Sequence, residues 1–169
     1  MAENALWIQN QLGVNSKIAL WAHNNHVGNI NAGGFQTEGW HLKKALGEAY
    51  QIFAFAFATG RFNAVEIKVG ANDQVTFGER KAMNTGEPIC ASLNAILHQA
   101  TLKNFFLNTK AVQANTALHS WLFTEKPVLE AAAGYVEQFP ERNYFPKKLG
   151  EESDVLIYFD TTTESTLFR

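Results

Sequence analysis

Two hydrophobic periods alternate along the chain. Near the amino terminus Ala5, Leu6, Ile8 and Leu12 make one stripe, while Glu3, Asn4, Gln9, Asn10 and Gln11 fill the other faces. That spacing predicts an amphipathic helix ended by Gly13. It starts with no basic stretch and no apolar leader core, so the chain opens as though something preceded it. Lys17–Ala22 is apolar on both faces and bounded by polar residues, the pattern of a strand buried in a parallel sheet. His23-Asn24-Asn25-His26 follows, and the Asn- and Gly-rich stretch through Gly34 reads as loop. Thr37 can cap a helix over Glu38–Ala45 that buries Trp40, Leu42, Ala45 and Leu46 and stops at Gly47. In Tyr50–Ala58 phenylalanines alternate with alanines, so a strand should send large side chains to one face and small ones to the other.

Later elements follow a looser pattern. Ala64–Val69 is expected as an edge strand, and polar Asp73–Met83 as exposed chain. Helices are expected over Ser92–Gln99 and Gln113–Leu122, and strands over Asn104–Leu107 and Asp154–Phe159. Phe139–Leu149, with two prolines and several charges, reads as a surface excursion. Helix, strand, loop, helix, strand is the order of an α/β fold, expected here as one domain over 1–169 with a mainly parallel sheet flanked by helices.

Composition narrows the function classes. At 169 residues and 46% hydrophobic the chain is long enough for one globular domain, by a rough prior of about 100–200 residues. A single cysteine, Cys90, excludes an intramolecular disulfide framework and is expected as a small core residue. Fourteen basic against sixteen acidic residues give a formal charge of -2, which removes the main affinity term for nucleic acid. The apolar runs, longest near Ile52–Ala58, fall short of the roughly 18 residues a membrane-spanning helix needs. No nucleic-acid or membrane partner is therefore expected.

The densest chemistry is His23-Asn24-Asn25-His26, which the predicted topology places beyond the carboxyl end of a strand, where open α/β sheets hold ligands. Imidazoles there can act as general acid, general base or oxyanion donors. Two bland readings stand beside this one: each histidine could simply bond a loop carbonyl, or the pair could ligate a metal. For a metal, only Glu38 and His41 lie near enough in sequence to add ligands. Arg61, just past the second strand, could reach the same edge as His23 or be an ordinary exposed arginine. His98 and His119 fall on helical segments as surface or core-edge residues.

At these residues the chain resembles the erythromycin esterase family. Ile18-Ala19-Leu20-Trp21-Ala22-His23-Asn24-Asn25-His26 is similar to the family's K-I-x-x-W-A-H-N-x-H segment. Met1-Ala2-Glu3-Asn4 with Leu6-Trp7, Gly39-Trp40-His41-Leu42 with Leu46-Gly47 and Tyr50, Phe55 to Ala64, and Ser153 to Thr162 match further landmarks in order. The resemblance implies an activated-water hydrolase that opens a macrolide lactone or related ester, without metal or other cofactor, and so confers antibiotic resistance. It puts catalytic roles on His23 and His26, with Asn24, Asn25 and Arg61 as substrate-binding candidates. It also implies that this is the carboxyl-terminal part of a longer enzyme, since the landmarks lie in that half and the remaining catalytic residues in the other. Competing with the enzyme reading is a truncated, non-catalytic fragment, or a ligand- or partner-binding α/β domain, prone to self-association through exposed sheet edges.

Overall fold

A computed structural model describes residues 1–13 and 15–166. Helix α1 spans Ala2–Leu12 and ends at Gly13, whose φ of 93° suits only glycine well. After it come α2 (Asn24–Val27), a two-stranded ribbon of β1 (Asn31–Ala32) and β2 (Phe35–Gln36), and α3 (Glu38–Leu46). The Thr37 hydroxyl accepts the Trp40 N–H at 3.1 Å, so the expected cap forms. Then follow β3 (Phe53–Val69), β4 (Val75–Asn84), α4 (Leu93–His98) capped by Ser92, β5 (Asn104–Asn108) and α5 (Ala117–Phe123). The chain continues through β6 (Lys126–Leu129), β7 (Gly134–Tyr135), β8 (Tyr144–Lys147), α6 (Leu149–Glu152) and β9 (Val155–Thr162).

The main sheet is mixed and mostly antiparallel, which corrects the expectation of a mainly parallel one. Its strand order is β4, β3, β9, β5, with β7 beside β3. The reason is local. Gly70 to Gln74 closes a tight turn, its Asn72 and Asp73 in the left-handed region at φ 60° and 57°, and a short turn can only fold β4 back against β3. The antiparallel ladder runs from Arg61 opposite Asn84 to Val69 opposite Val75, with a bulge between Val65 and Ile67. β7 adds to β3 in parallel. Asp73–Met83 is exposed along most of its length, as expected, and most of it is a paired strand. No turn interrupts Gly60; it sits inside the 17-residue β3 with φ 128°, and a Cβ there would strike the backbone of Thr162. Phe139–Leu149 is more ordered than an excursion, because β8 within it pairs antiparallel with β6.

Two compact units divide the chain. Met1–Ala54, Leu107–Phe123 and Leu149–Leu156 form one; Phe55–Phe106, Thr124–Lys148 and the residues from Ile157 onward form the other. In the first, Val27, Leu42, Ile52, Leu122 and Leu156 are buried. In the second, Ala64, Met83, Leu129 and Tyr135 make the core, with Phe57, Phe62 and Tyr144 against it. Along the start of β3 the alternation holds as read: Ala54, Ala56 and Ala58 are buried while Phe53 and Phe55 are exposed.

Lys17–Ala22 is the largest departure. It carries no strand, and Ile18, Leu20 and Trp21 are exposed, Trp21 at 88%. An apolar run becomes a buried strand only where neighbours take both its faces, and the run itself cannot supply them. Cys90 is also exposed rather than in the core. No described helix is long and apolar enough to cross a membrane.

Candidate active site

The His-Asn-Asn-His run folds into the single turn of α2. His23 is its cap: the ring Nδ1 accepts the Asn25 N–H at 3.2 Å, and the carbonyl accepts the His26 N–H at 2.8 Å. An accepting Nδ1 places the proton of a neutral His23 ring on Nε2. His26, three residues on, is exposed and lines a cavity of about 540 Å³. Asn25, Gln36, Thr37, Glu38 and His41 line it too, with Glu3, Leu6 and Phe35 among its other walls. His23, Asn24 and Arg61 are not among the lining residues. The volume falls within the roughly 300–1,000 Å³ typical of small-molecule pockets.

Close backbone approach builds this cavity. A Cβ on Gly39 would collide with the backbone of Val27 and Gly28, so only glycine lets the first turn of α3 lie against the end of α2. The Thr37 hydroxyl donates to the Gly28 carbonyl at 2.6 Å, and the Tyr50 hydroxyl donates to the Val27 carbonyl at 2.9 Å. Burial, then the negative charges of Glu38 and Asp154, push the Tyr50 phenol up to about 12, so it remains a donor at any physiological pH. Glu38 and His41, at i and i+3 on α3, are thereby brought to the same cavity as His26. Two imidazoles and two carboxylates share a pocket with apolar walls, a set able to take protons from water and return them to a leaving oxygen.

The candidate residues thus separate. His26 and Asn25 line the cavity, His23 holds the turn, and the Asn24 carbonyl accepts the Gly28 N–H at 2.7 Å. Arg61 lies in the other unit, where its guanidinium pairs with Glu164 at 3.2 Å. Glu38 and His41 were visible in the sequence only as possible metal partners; their shared i, i+3 face was the available signal. Among the described residues no group of three His, Cys, Asp or Glu side chains is placed to hold a metal ion.

A second cluster stands in the other unit. Asp160 Oδ1 accepts from the Tyr158 hydroxyl at 2.8 Å and lies 2.8 Å from His98 Nδ1, while Lys103 Nζ is 3.5 Å from Oδ2. Burial opposes ionisation of Asp160, but the hydrogen bonds from Tyr158 and His98 and the charges of His98 and Lys103 outweigh it, and the carboxyl is held below its usual range. Sixty-two positions separate His98 from Asp160, and no sequence pattern links them.

Fold and pocket together define a mixed α/β domain with an imidazole–carboxylate cavity. The chain belongs to the erythromycin esterase family, whose signature, described as erythromycin esterase, matches residues 1–162. No curated protein matches the chain. Among solved structures it is similar to a protein from Bacillus cereus at 24% identity and a TM-score of 0.76, covering 99% of this chain and 38% of that one. It is also similar to a succinoglycan biosynthesis protein, at 22% identity and a TM-score of 0.74, covering 96% and 37%. A third is an erythromycin esterase, EreC, carrying a histidine-to-asparagine substitution and in its open conformation, at 15% identity and a TM-score of 0.58, covering 95% and 35%. The chain spans a little over a third of the length of these structures.

Proposed function

We propose that the cavity at His26 is a hydrolytic subsite of an erythromycin-esterase-like enzyme acting on a macrolide lactone or a related ester. The observation that carries this reading is that His26, of the family-like His-Asn-Asn-His run, opens into a cavity with Glu38 and His41. The proposed step is proton transfer. His26 takes a proton from water as the water oxygen adds to the ester carbonyl; the tetrahedral adduct then expels the ring alkoxide, which receives that proton and leaves a hydroxy acid. Asn25 supplies an amide to orient the substrate, and the wall of Leu6 and Phe35 takes its apolar part. His23 acts as a positioning residue through the turn it caps, and Asn24 belongs to the same turn. Arg61 serves substrate only by exchanging its Glu164 partner.

The coverage of little over a third of each solved structure favours a second reading, in which this chain alone binds ligand without turnover. Incubation with erythromycin and mass spectrometry of the ring-opened acid separates the two. Under the hydrolytic reading turnover is seen, and His26→Ala lowers kcat/KM about 10²–10⁴-fold, the usual worth of a general acid–base group. Undiminished turnover in His26→Ala contradicts the assignment. Ligand binding with no product supports the second reading.

A further inference from the structure

The two outer strands of the main sheet differ in chemistry. β4 exposes Glu79, Arg80 and Lys81, whereas β5 reads Asn104-Phe105-Phe106-Leu107-Asn108, with neither charge nor proline. Charges and prolines are what normally keep an edge from pairing with another copy, and β5 has neither. We propose that β5 is a self-association edge that pairs antiparallel with β5 of a second copy of this chain, about a two-fold axis at Phe106.

The strand is nearly palindromic about that residue. Antiparallel pairing centred there sets Asn104 opposite Asn108, Phe105 opposite Leu107, and Phe106 opposite itself. A closed two-fold dimer demands this reciprocity, and every cross-strand pair joins amide with amide or apolar with apolar. The same operation on β4, centred on its charged run, would put Arg80 against Arg80. Phe105 lies against Tyr158 with ring centroids 5.0 Å apart, so alternation turns Phe106 to the opposite face, where it is 75% exposed. Leu102, just before the strand, is exposed as well. The nearest cations do not oppose approach, because Lys103 and Lys110 lie 3.5 and 3.4 Å from Asp160 and Asp154 within the chain.

Size sets the expected strength. A five-residue ladder with two phenylalanines and one leucine per copy buries on the order of a few hundred Å² a side, below the roughly 800 Å² of a standard interface. The dimer is therefore weak and populates at high concentration. This inference is independent of the hydrolytic reading.

Sedimentation of the full chain from about 10 µM to about 1 mM brackets the affinity of such a small interface. The expected result is an average mass rising from 18.8 kDa toward twice that value, and Phe106→Lys holding it at the monomer. In a Cys90→Ser background, Phe106→Cys and, on the other edge, Phe77→Cys give a positional test. Opposed antiparallel residues have Cα atoms about 4.5–5.5 Å apart, inside disulfide range. Mild oxidation should cross-link Phe106→Cys and leave Phe77→Cys monomeric. A mass that never rises, a rise that Phe106→Lys leaves intact, open-ended oligomers, or equal cross-linking at both positions would each overturn the proposal.

Discussion

His23 and His26 stand three residues apart in quite different surroundings. The sequence treats them alike; the turn does not, because the His23 cap points its ring back at the N–H two residues on, while His26, inside the turn, is exposed. A separate residue-scale consequence concerns Asp160. Its folded carboxyl titrates below its unfolded value of about 3.9, so the unfolded chain holds more protons in that interval and stability rises with pH through it. The contribution is present in full above the unfolded value and is lost as pH falls through the folded one. Asp160→Asn should be less stable than the parent at pH 7 by about 1.5–3 kcal/mol, the range for a hydrogen bond to a charged group. That gap should close as the acid range is entered, which urea unfolding at a series of pH values would show. A gap independent of pH would mean the carboxylate charge plays no part.

At the scale of elements, what the sequence discloses depends on whether the cause is local. α1, α3 and α4 are legible because the helical period lies within each segment, and α3 adds both a cap at Thr37 and a terminating Gly47. The start of β9 and the Phe/Ala faces of β3 are legible for the same reason. Pairing direction is not, since it depends on how Gly70 to Gln74 turns, and polar β4 shows too weak an alternation to be read as a strand. α5 is shorter than its apolar pattern, beginning where Thr116 accepts the His119 N–H at 3.1 Å. The contact of α2 with α3 positions the cavity, and Gly39 controls it. Gly39→Ala would gain up to about 1 kcal/mol of helix propensity. Against that, a Cβ collision with fixed backbone costs about 1–3 kcal/mol or more, so a net loss is expected, read as a lowered Tm. A raised Tm would show that the two helices can part without cost.

At the scale of the whole molecule, the family is established. Ile18, Leu20 and Trp21 carry a buried-strand pattern, yet they are exposed. Sequence records the pattern of burial, and burial itself needs the partner surfaces. The His-Asn-Asn-His run was legible as a candidate because its residue types crowd into four positions, while Glu38 and His41 come to the cavity beside Asn25 and His26 only through folding. The hydrolytic reading stands or falls on whether the cavity at His26 receives the ester. Five histidines, at positions 23, 26, 41, 98 and 119, make imidazole NMR during titration with erythromycin the most direct measurement. The account predicts saturable shifts of the His26 and His41 ring signals, with those of His98 and His119 unmoved. Shifts confined to His98 or His119, or no movement of His26 at saturating ligand, would contradict it.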